Sequence, residues 1–268
     1  MIADDGERIA NRPRIDRAPH MSDFSALCRD FCINQKLALK MDLPAAREPV
    51  LDLFGRLRKE MPRLSNLHRY PDGEVALESG EDDQDFLWIG MRQTSLKSGW
   101  VNPKTLEDAY RMHRTVLEVA PYFLSISPLD VDHLELVYAF DFECEGNRDE
   151  VVLDALLGGS ALGEFAEIAT DNVLDAQPFL AIALSDAPDM HVYLEVKTRL
   201  PRGGEPSAGR DGLEPLSVML TVRRTGPVKS LDDLPTILAA LAGHGERLVE
   251  QRLIPRILMP LSDRIGRH

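Results

Sequence analysis

The sequence predicts an α+β fold of two related strand–helix–strand–strand–(strand)–helix halves, forming antiparallel sheets backed by helices about a pseudo-twofold axis. Three observations carry this. Several stretches alternate apolar and polar residues with the period of a half-buried strand. Others carry apolar residues at helical spacing. The same order of elements then occurs twice, and each half closes on a helix with a matching opening: Lys104-Thr105-Leu106-Glu107-Asp108 and Lys229-Ser230-Leu231-Asp232-Asp233. Both openings have the hydroxyl and the carboxylate of a capping box.

Taken in order, residues 1–22 hold acids and arginines with hardly any large apolar side chain, the composition of a disordered leader. Met21 is the expected true start. The first half spans residues 23–122. Ile33 to Met41 alternates as a strand, with Lys36 and Lys40 on its polar side. A helix then runs from Pro44 or Glu48 to Met61, and Pro62 stops it. A hairpin of Glu74–Ser79 and Phe86–Arg92 follows, joined by an acidic turn. An extended piece from Leu96 to Val101 leads to the Thr105 helix.

The second half spans residues 123–268. Its strand, His133–Cys144, sets Leu134, Leu136, Tyr138, Phe140, Phe142 and Cys144 on one face and His133, Glu135, Val137, Ala139, Asp141 and Glu143 on the other. A short helix follows at Glu150–Leu157, where Val152-Leu153-Asp154 echoes Val50-Leu51-Asp52. The hairpin Phe179–Leu184 and His191–Arg199, the loop Pro201–Pro215 and the strand Ser217–Arg224 complete the repeat. From Leu231 to Ile265 the spacing predicts a long amphipathic helix, broken near Gly243-His244-Gly245 and bent at Pro255 and Pro260.

Charge narrows the function. A net charge of −13 argues against nucleic acid, whose phosphates need clustered Lys and Arg, and against an anionic membrane surface. No stretch approaches the roughly 18 to 20 apolar residues of a membrane span. Cys28, Cys32 and Cys144 form no CxxC pair and read as reduced thiols, so the expected location is the cytoplasm.

Motifs for phosphate loops, dinucleotide binding, nucleophile elbows and HExxH zinc sites are absent. Two weaker constellations stand out. Trp88 and Arg92 share a strand face; with Trp100, and with Arg199 at the matching place in the second half, they are the candidate lining of an anion-binding pocket. That strand, Phe86–Arg92, carries bulk on both faces and is expected to be central and covered on both sides. His133 and Glu135 share a face and, with Glu195 from a neighbouring strand, are candidate metal ligands. A third reading pairs charges: if the two leading strands lie side by side, Lys36 and Lys40 face Glu135, Asp141 and Glu143.

The motifs Glu60-Met61-Pro62, Phe86-Leu87-Trp88-Ile89-Gly90-Met91-Arg92, Ser98-Gly99-Trp100-Val101-Asn102-Pro103 and Leu134-Glu135-Leu136-Val137-Tyr138 are similar, in kind and order, to those of a sporadically distributed bacterial family of uncharacterised proteins of about 250 to 270 residues. The resemblance covers nearly all of residues 25–268. It implies a duplicated α+β architecture and points to no particular activity, since that family has none assigned. The chain departs from it where Tyr138 continues into Ala139-Phe140-Asp141 instead of a polar turn.

The expected function is therefore a non-catalytic protein-interaction or binding protein, with a protein partner or self-association and no cofactor. The alternative is a small-molecule-binding protein or a metal-dependent enzyme of the paired βαβββ type, whose strands hold the ion through His and Glu.

Overall fold

The computed structural model describes residues 27–44, 46–80, 85–167, 173–198 and 215–266. The expected leader, Met21, Arg199 and nearly all of the Pro201–Pro215 loop lie outside the described residues. The first half runs β1 (Asp30–Leu39), α1 (Arg47–Glu60), β2 (Asn66–Arg69), β3 (Val75–Glu78), β4 (Leu87–Arg92), β5 (Ser95–Val101) and α2 (Leu106–Phe123). The second runs β6 (Val131–Phe142), α3 (Arg148–Val152), α4 (Ala161–Glu167), β7 (Phe179–Leu184), β8 (Ala187–Lys197), β9 (Leu216–Thr225), α5 (Leu234–Leu248) and α6 (Met259–Ile265).

All nine strands join one antiparallel sheet in the order β2-β3-β4-β5-β1-β6-β9-β8-β7. The sheets of the two halves are continuous because their leading strands, β1 and β6, pair with each other from Asp30↔Asp141 to Leu39↔Val131. Outward from that seam each half repeats one sequence of strands: first, last, next to last. The first half adds β2 outside β3, and nothing described stands outside β7.

Strand alternation divides the sheet into two faces. Ile33, Leu37, Leu134, Leu136, Tyr138, Phe140 and Val222 point to one, where α2 and α5 pack and where the core lies. Cys32, Asn34, Lys36, Val137, Thr221 and Tyr193 point to the other, the open face, where each is only partly buried.

Sequence expectations meet the structure unevenly. Thr105 caps α2 by accepting from the Asp108 N–H, and Ser230 with Asp233 forms a capping box before α5. The predicted break at Gly243-His244-Gly245 does not occur, and α5 runs through it. The reason is packing: Gly245 lies against the Tyr138 ring, and a Cβ there would collide with it. Glycine serves as the point of close approach between helix and sheet. Pro255 sits within a π-helical stretch, Val249–Leu258, and Pro260 near the start of α6. The strand β2 and the helix α4 have no counterpart in the sequence expectation. β4 lies between β3 and β5, away from the seam; Leu87, Ile89 and Met91 are buried on one face, and on the other Gly90 is buried between half-buried Trp88 and Arg92.

Candidate functional site

Registers across the sheet place Gly90, Lys97, Lys36, Glu135, Arg223, His191 and Ala183 in one row of the open face. Glu135 is the centre of this band. Only 7% of it is exposed, and Arg223 binds its Oε2 through both Nε (2.7 Å) and Nη2 (2.6 Å). The Lys36 ammonium stands 3.9 Å from Oε1, and His133 Nε2 stands 3.5 Å from Oε2. A second carboxylate, Asp132, accepts from His133 Nδ1 at 2.9 Å. The Arg223 guanidinium also lies over the Tyr193 ring, 4.7 Å from its centroid. The buried carboxylate is compensated by these cations, and removing a partner would leave an unpaired buried charge. The charge-pairing expectation thus describes Lys36 and Glu135; Asp141 instead accepts from Ser217 at 2.5 Å.

The candidate pocket residues are not gathered. Trp88 lies on the open face, its indole across Gly99, where any Cβ would collide with it. Trp100 is two residues on from Ser98 and points with it to the helix side, against the core. Arg92 bonds Glu74 through Nε and Asp72 through Nη2 (2.7 Å), so its charge is already matched. His133 is three strands from Arg92 along one row, about 14 Å at the usual strand spacing. Arg199 lies outside the described residues.

Of the candidate metal ligands, His133 and Glu135 lie side by side and Glu195 stands apart from them. Glu195 is four residues along β8 from His191, about 13 Å from the Glu135 row. It pairs with Lys197 at 2.7 Å. Among the described residues no group of three His, Cys, Asp or Glu side chains could hold a metal ion.

Sequence reasoning missed a buried polar trio beneath α2. His113 and Ser98 are fully buried and Gln35 is 1% exposed. With its amide nitrogen towards Ser98, Gln35 donates to Ser98 Oγ at 3.0 Å and accepts from the Leu37 N–H at 2.9 Å. The Ser98 hydroxyl then donates to His113 Nδ1, 2.8 Å away. Burial pushes the His113 pKa down to about 3, with the Ile33 backbone opposing. The neutral ring orders the helix–sheet contact, and its complete burial excludes a substrate from this Ser–His pair. Two signals were available: Gln35 stands among apolar residues on the inner face of β1, and His113 stands four residues after Ala109 on the buried stripe of α2.

The remaining unusual surface is the edge at β7. Its sequence, Phe-Leu-Ala-Ile-Ala-Leu, holds no polar side chain. Phe179 is 60% exposed, Leu180 56% and Ile182 40%. β3, the strand at the matching place, buries Ala76 and Leu77 to 1% and 4%. The Val196 N–H bonds the Pro178 carbonyl, which sets the antiparallel alternation. Leu180 and Ile182 therefore turn their backbone groups to β8, and Phe179, Ala181 and Ala183 turn theirs outward, where no described strand meets them.

No known protein family and no curated protein matches this chain, so its function has to be read from its own geometry.

Proposed function

We propose that this chain is a non-catalytic protein-interaction protein that takes an extended, uncharged segment of a protein partner along the free edge of β7. One observation carries the reading: an apolar strand, exposed on both faces and, among the described residues, unpaired along one edge, at the place where the first half is completed by β2. Natural sheets blunt such edges with charge, proline or a covering strand. Strand addition would supply main-chain hydrogen bonds, and alternate side chains would supply selectivity. The chemistry of the edge favours a neutral segment. The nearby acids are engaged: Asp186 with Arg247 (3.5 Å), Asp189 with Arg224 (3.3 Å) and Glu195 with Lys197 (2.7 Å).

Net charge supports a protein partner over nucleic acid or an anionic membrane surface. Among the described residues no helix is long and apolar enough to cross a membrane. Cys28, Cys32 and Cys144 are thiols and form no disulfide, which fits a reducing cytoplasm. The enzyme alternative has support in the order of the second half, β6, α3 and α4, then β7 to β9, which is a βαβββ unit. It draws none from the candidate ligands, because Glu195 lies about 13 Å along the sheet from the row of Glu135, beyond reach of an ion held there.

The test compares immobilised wild-type chain with Leu180→Glu in cell extract. A protein held by the wild type and lost by the variant, together with slowed amide exchange at Phe179, Ala181 and Ala183, supports the proposal. Equal retention by both, or the same exchange at these amides in the wild type and the variant, overturns it.

A further inference from the structure

We infer that the segment docking on β7 is the β7 of a second copy of this chain, paired antiparallel about a twofold axis through Ala181. The inference rests on the strand-docking reading and names its partner. Backbone direction is the first argument. Phe179, Ala181 and Ala183 are the outward-facing residues of β7. A twofold placed on Ala181 sets Ala181 against its copy and Phe179 against Ala183. Every outward N–H and carbonyl of these three residues then meets a partner. An axis placed on Leu180 or Ile182 leaves one of the three unpaired.

Side-chain size gives the second argument. In this register Phe179 lies beside the small Ala183 on the open face, and Leu180 lies beside Ile182 on the helix side, each contact occurring twice. The exposed Leu180 and Ile182 of both copies thus form one apolar cluster. Such a self-complementary patch is what an isologous interface requires.

Charge gives the third. Two copies each carrying −13 repel, so their contact must fall on a neutral line. From Gln177 to Ser185 no residue is charged. The seam inside the chain follows the same antiparallel geometry, because β1 and β6 join the halves edge to edge.

The experiment is sedimentation equilibrium over a concentration series on the wild type, Ala181→Pro and Ala181→Lys. Proline at 181 removes an N–H that faces the free edge and leaves the β7–β8 bonds intact, and proline is tolerated at such edge positions. The wild type should reach twice the single-chain mass, and Ala181→Pro should stay at single mass with an unchanged far-UV circular dichroism spectrum. Ala181→Lys gives the same readout should the proline variant fail to fold. A wild type of single mass throughout, or a dimer that persists in both variants, overturns the inference. Amide exchange separates the two levels. A single-mass wild type whose Phe179, Ala181 and Ala183 amides are protected on adding extract loses the second copy and keeps strand docking. Unprotected amides remove both.

Discussion

Lys36 of β1 and Glu135 of β6 stand directly opposite each other across the seam that joins the two halves, ammonium to carboxylate 3.9 Å. Arg223 holds the same carboxylate from β9. Three strands are therefore tied at one buried acid, on the face that no described helix covers.

Glu135→Gln tests that tie. The substitution keeps the shape and removes the charge, leaving Arg223 and Lys36 without their counter-ion. Breaking a buried ion pair from one side costs about 3–5 kcal/mol. Here the two cations keep about a third of their side-chain surface in water, so screening reduces the expected loss to about 1–2 kcal/mol. Urea denaturation reads it directly, and an unchanged midpoint would show that the band contributes nothing to holding the halves together.

Gly245 and Gly243 separate packing from propensity within one helix. Replacing an interior helical glycine by alanine gains about 1 kcal/mol when the side chain meets open space. Gly243 is such a site, since a Cβ added there would have nothing within 4 Å, and Gly243→Ala should raise the melting temperature. At Gly245 the new methyl meets the Tyr138 ring. Overpacking of this kind costs about 1–3 kcal/mol, so Gly245→Ala should melt lower. Calorimetry on both variants suffices; a stabilised Gly245→Ala would contradict the close approach of α5 to the sheet.

His113 gives the fold a pH dependence of known sign. Its folded pKa is depressed from 6.5 to about 3 by burial. The unfolded chain then binds the extra proton first as pH falls. The stability attached to the neutral ring is whole above about pH 6.5 and lost progressively towards pH 3, by up to about 1.4 kcal/mol per pH unit. In His113→Gln that part of the slope should vanish. Urea midpoints measured between these pH values would refute the assignment if wild type and variant fell in parallel.

Much of this architecture is legible in the residues because strands and helices leave local periodic traces. The two faces of β6, the caps at Thr105 and Ser230 and the recurring order of elements follow from alternation and capping alone. The pairing of Lys36 with Glu135 is legible once the leading strands are set side by side. What stays hidden depends on contacts between distant residues. Gly243-His244-Gly245 has the composition of a break, and only the Tyr138 ring beneath it makes Gly245 an asset to the helix. Arg92 resembles an anion ligand until Glu74 and Asp72 are seen beside it. β2 is four residues long and mostly exposed, so it leaves little pattern to read. The exposure of β7 is legible least of all. Its apolar run reads as core, and only its place at the edge of the described sheet, with both faces exposed, makes it surface.

The seam between β1 and β6 also dictates when the molecule can form. Its partners are as distant in the chain as Asp30 and Asp141, and contacts of such long range form slowly. During synthesis β1 must wait, one side bonded to β5 and the other bare, until residue 142 has left the ribosome. A nascent first half thus carries a temporary sticky rim in the middle of the future sheet. Ribosome stalling before β6 should therefore give chains that seek pairing with one another, and release of β6 should quench that tendency.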